Sequence, residues 1–258
     1  MAAAWTAAFA RRMRVDFRAS LAEHRTMEAD LPKNLFIRRL AEKHRVLMLG
    51  GMAVIAYGRS RHTKDFDIWL EPFADPAMWA QHLTAVLREF PESHIWSLAQ
   101  RRKLQPAEIA AEIEDFGVLR IGGFDLPVDV FRKPNEFEEG DFEQVWSQSS
   151  AMDDGVRLPH ELHLYVTKIN TGREHDLDDI AFLETKVKER FRERLPVCDL
   201  TEAKGMLDRF LDPEVLQYGL VNPDAAVRDL VLSYLYEFEA EGDPYSRDIL
   251  AAWRARTA

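Results

Sequence analysis

Three aspartates near the middle of the chain have the types and spacing that phosphoryl chemistry requires. Asp65 and Asp67 stand two apart in Asp65-Phe66-Asp67-Ile68-Trp69-Leu70, where Phe66, Ile68 and Leu70 mark one apolar face. This alternation predicts a half-buried strand over residues 65–70, with both carboxylates on the opposite face. Residues i and i+2 of a strand lie about 6.5–7 Å apart, so the pair can grip one cluster of metal ions. Magnesium takes hard oxygen ligands and keeps water and substrate phosphates in its shell. Two-metal catalysis holds its ions ~3.5–4 Å apart, beside the attacking and leaving oxygens. A third carboxylate from a neighbouring strand would complete such a site. Asp129, inside Leu126-Pro127-Val128-Asp129-Val130-Phe131, is the candidate. An aspartate in an apolar strand is costly unless it is paired, hydrogen-bonded or bound to metal. The plainer alternative for Asp129 is a solvated strand face.

These residues need elements to hold them. The apolar run 46–49, closed by Gly50-Gly51, predicts a buried strand, and residues 52–57 suit a short helix ending near Gly58. A double glycine or an Asp-x-Asp pair is weak evidence alone, because turns and exposed strands explain most of both. Strand, Gly-Gly, helix, Asp-x-Asp strand and a later lone-Asp strand in that order are much less expected by chance. Helices are predicted over residues 35–43, with Leu35, Phe36, Leu40 and Ala41 on one face, from Asp75-Pro76 to about 90, and over 106–113. Strands over 117–121 and 126–131 are joined through Gly122-Gly123-Phe124-Asp125, a hairpin signal. Past Pro134 the pattern is helical apart from a brief segment at 155–158, with helices near 161–171, 178–193, 201–211, 223–239 and 246–254. The expected fold is α/β (α+β): a small mixed sheet flanked by helices over residues 1–150, with an N-terminal helical extension, then an all-helical C-terminal lobe over residues 151–258.

Composition narrows the class. The chain has 258 residues, 47% hydrophobic and 30% charged, an ordinary globular balance. No apolar run approaches the ~20 residues a membrane span needs. The alanine-rich residues 1–10 are followed, not preceded, by Arg11, Arg12 and Arg14, the wrong order for a secretory signal. The single cysteine, Cys198, leaves no partner for an internal disulfide and reads as core. The expectation is a cytoplasmic protein with no membrane association. A net charge of -10 argues against a general duplex-DNA binder, since phosphate neutralisation supplies most non-specific affinity. Local basic runs at 11–14, 101–103 and 186–194 stay open as nucleic-acid contacts, although such runs are more often solvated faces. His160, His163 and His175 form no metal-spaced set with a cysteine, so zinc is not expected, and His62 reads as a bystander.

With those residues in place, Gly50-Gly51-x-Ala53 followed by Arg61-x-Thr63-x-Asp65-x-Asp67 resembles the signature of the DNA polymerase β-like nucleotidyltransferase superfamily, in its abortive-infection and toxin–antitoxin branch. A second block, Lys168-Ile169-Asn170-Thr171-Gly172-Arg173-Glu174-His175-Asp176-Leu177-Asp178-Asp179, is similar to the helical motif of that branch. Gly-Gly replaces the commoner Gly-Ser, and Phe66 fills a place where smaller aliphatic residues are frequent. The resemblance implies a nucleotidyltransferase sheet and transfer of a nucleoside monophosphate from an NTP, such as ATP, to an acceptor hydroxyl. It implies that Asp65, Asp67 and Asp129 bind two Mg²⁺ ions, with Asp129 also a candidate general base. Gly50, Gly51, Arg61 and Thr63 would meet the nucleotide, since glycine lets backbone N–H groups approach phosphate closely. Lys168 and Arg173 would contact phosphates. Asp179 would act beside them or orient one of them, and Asp176 reads as the N-cap of a helix starting near Leu177. The acceptor implied is a tRNA 3′ end, in a toxin or phage-defence component with a cognate antitoxin. A protein hydroxyl (AMPylation) and a small antibiotic are alternative acceptors. A catalytically weak nucleotide- or partner-binding module, using Trp69 or Tyr234, Tyr236 and Phe238, is the alternative of another class.

Overall fold

The computed structural model describes residues 31–73, 75–152 and 154–257. The expected N-terminal extension, with Arg11, Arg12 and Arg14, lies outside the described residues. The chain divides into two units, Met1–Pro159 and His160–Ala258.

In the first unit α1 (Pro32–Lys43) starts on a proline, whose missing N–H is no loss in a first turn. There follow β1 (Val46–Met48), α2 (Gly50–Ala56), β2 (Phe66–Leu70), α3 (Pro76–Leu87), β3 (His94–Ser97), β4 (Arg102–Lys103), α4 (Ile109–Phe116), β5 (Val118–Gly122), β6 (Val128–Phe131), α5 (Asp141–Gln148), β7 (Ser150–Ala151) and β8 (Arg157–Leu158). The strands form one eight-stranded sheet in the order β4-β3-β5-β6-β2-β1-β8-β7. It is mixed: β2 runs parallel to β6 and β1 to β8, while the other neighbours are antiparallel.

Register explains which residues are core. Ile68 pairs with Met48 on one side and Val130 on the other, and Val130 pairs in turn with Leu119. All four are buried, as are Phe36 and Leu40 of α1, Trp79 and Leu83 of α3 and Ile113 of α4. Each fully buried large apolar side chain contributes about 1.5–3 kcal/mol. The other face of β2 and β6 changes character along its length. At one end Trp69 is fully buried, 5.3 Å from the Phe137 ring and 5.2 Å from that of Phe142, with its indole N–H donating to the Arg132 carbonyl at 2.9 Å. At the other end the same face carries Asp67 and Asp129.

Strands β3, β4 and β7 and helix α5 have no counterpart in the sequence reading. Strands of two to four residues are too short to show a period. The units divide after Pro159, past the division drawn at 150 and at the far end of the span 131–159 over which the sequence changes character. The reason is that β7 and β8 hydrogen-bond into the sheet beside β1, so this stretch belongs with the strands.

The second unit is helical throughout: α6 (Glu161–Ile169), α7 (Glu174–Arg194), α8 (Leu200–Leu207), α9 (Pro213–Leu216), α10 (Ala225–Ala240) and α11 (Pro244–Thr257). Its core gathers Val187, Phe191 and Leu195 of α7 and the segment after it with Leu207, Val231, Leu235 and Leu250. Asp199, Asp212 and Asp224 each cap a helix by accepting a backbone N–H. Cys198 belongs to this core, and burial pushes its thiol pKa up. Among the described residues the fold is thus mixed α/β, with eleven α-helices and the single eight-stranded sheet. No helix among them is long and apolar enough to cross a membrane.

Candidate functional site

The parallel pairing of β2 with β6 sets Asp67 directly beside Asp129, and Asp65 precedes β2 by one residue on the same face. One carboxylate oxygen from each of Asp65, Asp67 and Asp129 lies within 4.8 Å of the others. Three hard oxygen donors at that separation fit a divalent cation. Without a positive charge, carboxylates this close repel by on the order of 3 kcal/mol per pair at an effective dielectric near 20.

Arg120 of β5 supplies that charge. The β5–β6 register pairs it with Asp129. Its Nε donates to Asp129 Oδ1 at 2.7 Å and its Nη2 to Asp129 Oδ2 at 2.7 Å, a two-pronged pair, while Nη2 also reaches Asp65 Oδ2 at 3.1 Å. The hydrogen bonds that Arg120 donates to Asp129 raise the guanidinium pKa above its already high ordinary value. Asp129 is 5% exposed, so the alternative of a solvated strand face is set aside. Sequence reading missed Arg120, because an arginine on an alternating strand looks like any solvent-facing residue. Counting back from the expected four-residue turn 122–125 puts Arg120 opposite Pro127, because the actual turn runs on to residue 127.

The glycine turn is shaped by the same carboxylates. Gly50 has φ +58°, and a Cβ built on it would overlap the Asp67 carboxylate. A Cβ on Gly51 would come within 2.8 Å of Thr63 Oγ1 and 3.3 Å of the Arg61 guanidinium carbon. Only glycine permits both approaches. Thr63 Oγ1 donates to the Asp65 carbonyl at 3.0 Å, and the Leu49 N–H to the Asp67 carbonyl at 2.8 Å. Gly50, Gly51, Arg61 and Thr63 therefore surround Asp65 and Asp67. Helix α2, which opens on these two glycines, has only seven residues, so its macrodipole is short and Arg61 is the stronger local positive charge.

The second block folds within the second unit. Lys168, 7% exposed, donates to Asp176 Oδ1 at 2.8 Å and lies 3.0 Å from Asp179 Oδ2. Thr171 Oγ1 donates to the other Asp176 oxygen at 2.8 Å. Asp176 is therefore not an N-cap. Helix α7 begins at Glu174 with Arg173 in the capping position, and Lys168 and Thr171 take the Asp176 carboxylate. Arg173 is exposed. His160 caps α6 instead, its Nδ1 accepting the Leu162 N–H at 3.2 Å. The basic runs within the described residues are largely matched by acids: Arg102 with Glu108, Lys188 with Asp212 and Glu214, and Arg194 with Glu202.

In comparison with known proteins, no family model matches the chain and no curated protein matches it.

Proposed function

We propose that the chain is a metal-dependent nucleotidyltransferase. It moves a nucleoside monophosphate from an NTP to an acceptor hydroxyl, forming an oxygen–phosphorus bond at the α-phosphate and releasing pyrophosphate. The observation that carries this reading is the convergence of Asp65, Asp67 and Asp129 on one sheet face against the Gly50-Gly51 turn. These three residues would hold Mg²⁺, two ions in the full reading, and the bound metal supplies charge neutralisation on the phosphates. The rest falls to the chain itself. Gly50 and Gly51 let the Asp67 carboxylate and the Thr63 hydroxyl close against the turn, with the Arg61 guanidinium beside Gly51, and the resemblance assigns the phosphates to their backbone N–H groups. By the resemblance, Asp129 would also accept the proton of the acceptor hydroxyl. Lys168, Arg173 and Asp179 enter the reaction only through the family resemblance. In the second unit Asp179 and Asp176 hold the Lys168 ammonium in place.

The acceptor proposed is a tRNA 3′ end, and the context a toxin or phage-defence component held in check by an antitoxin. Both rest on the resemblance. Purified protein incubated with labelled NTPs, Mg²⁺, total tRNA and cell lysate tests the reading. Label is expected in the RNA fraction, and Asp67→Ala should lower it by at least ~10³-fold, on the scale of lost transition-state charge stabilisation. Label in protein would move the acceptor to a protein side chain, and no label in any fraction would sink the enzyme reading.

A further inference from the structure

Arg120 is absent from the motif above, yet it makes the shortest contacts in the cluster. Asp129 is 5% exposed, and both its oxygens receive a guanidinium N–H at 2.7 Å. A buried carboxylate needs such a partner to be tolerated in the fold. A divalent cation needs the same oxygens. Each positive group weakens the other's hold, because the attraction that stabilises either one becomes repulsion between them at this distance. The Arg120 side chain is 31% exposed against 7% for Asp129, so the arginine is the partner with room to leave. Its planar fork suits phosphate as well as carboxylate.

We propose that Arg120 is a built-in counter-ion that competes with a divalent cation for Asp129 and is exchanged for it when a nucleotide's phosphates arrive to take over the guanidinium. The proposal rests on Asp65, Asp67 and Asp129 being the metal centre. It makes the nucleotide-free protein a weak metal binder, and it couples metal affinity to polyphosphate binding. An arginine with a purely structural role would stabilise the strands without altering metal affinity.

Mn²⁺ binding, read as loss of the free-ion paramagnetic resonance signal without nucleotide, separates these roles. Arg120→Gln is expected to bind Mn²⁺ at least tenfold more tightly than wild type, and Arg120→Lys, which keeps charge but loses the fork, by a smaller factor. An unchanged or weaker affinity in Arg120→Gln overturns the proposal. Equal Mn²⁺ binding by wild type and Asp67→Ala would instead remove the metal centre, and with it the proposed function. Should Arg120→Gln fail to fold, the wild-type Arg120 Nε–H resonance serves. Its chemical shift should move when Mg²⁺ and a non-hydrolysable NTP analogue are added together, as its acceptor changes from carboxylate to phosphate, and an unchanged shift overturns the proposal.

Discussion

The first unit gathers Asp65, Asp67 and Asp129 around Arg120, and the second gathers Asp176 and Asp179 around Lys168. Both clusters hold more acid than base. Their settings differ. In the first, the side chains of Asp65 and Arg120 are 36% and 31% exposed. In the second, the side chains of Lys168, Asp176 and Asp179 are 9%, 5% and 0% exposed. Water can screen and replace partners in the first cluster, so its charges can be rearranged at modest cost. The second is sealed, and its hydrogen bonds must be kept because nothing else can satisfy them. One arrangement suits exchange and the other suits anchoring a helix–helix junction.

The contrast predicts unequal responses to the same change. Lys168→Ala takes from the buried Asp176 and Asp179 carboxylates the ammonium they share and should cost about 3–5 kcal/mol in urea unfolding. Asp65→Ala, at a partly exposed pair, should cost less than about 1 kcal/mol. Similar losses from the two variants would erase the distinction. Gly50→Ala should fall between them, at roughly 1–3 kcal/mol, because it strains a left-handed residue and pushes on Asp67. Weakened Mn²⁺ binding should accompany that loss, and a variant with normal stability and metal affinity would refute the close approach.

The last effect concerns pH. Burial, with lesser contributions from Arg190, His163 and Arg209, lowers the His160 pKa to about 3 from its ordinary 6.5. The unfolded chain then binds a proton that the folded chain refuses between those two values. Stability contributed by neutral His160 is fully present above pH about 6.5 and declines as pH falls towards 3. The decline should not exceed about 1.4 kcal/mol per pH unit. Urea midpoints measured between pH 7 and 5 should fall for wild type and flatten in His160→Asn. An identical slope in both would mean that the ring is not sealed.

Much of this was readable in residue order, and the unread parts share a cause. Asp65 and Asp67 were visible because a strand's period is local, and Asp129 because an acid among valines is conspicuous. The register setting Asp67 beside Asp129 was not visible, since parallel pairing joins segments far apart in the chain with no turn to count from. Arg120 carried no anomaly, and a count from the four-residue turn at 122–125 gives it the wrong partner, since the real turn extends through residue 127. Asp176 looked like a cap because it stands before an apolar helical pattern. Only the fold brings Lys168 close enough to claim it, and the helix then starts three residues earlier than expected, at Glu174.

The span between Asp65 and Arg120, 55 positions along the chain, has a consequence for the protein's synthesis. A ribosome delivers Asp65 and Asp67 well before their counter-ion, and the counter-ion before Asp129. Through most of that interval the nascent polypeptide carries an unbalanced acidic pair with no third carboxylate to join it. Whatever chemistry the finished sheet performs is therefore withheld from a half-made chain, a delay written into strand order itself.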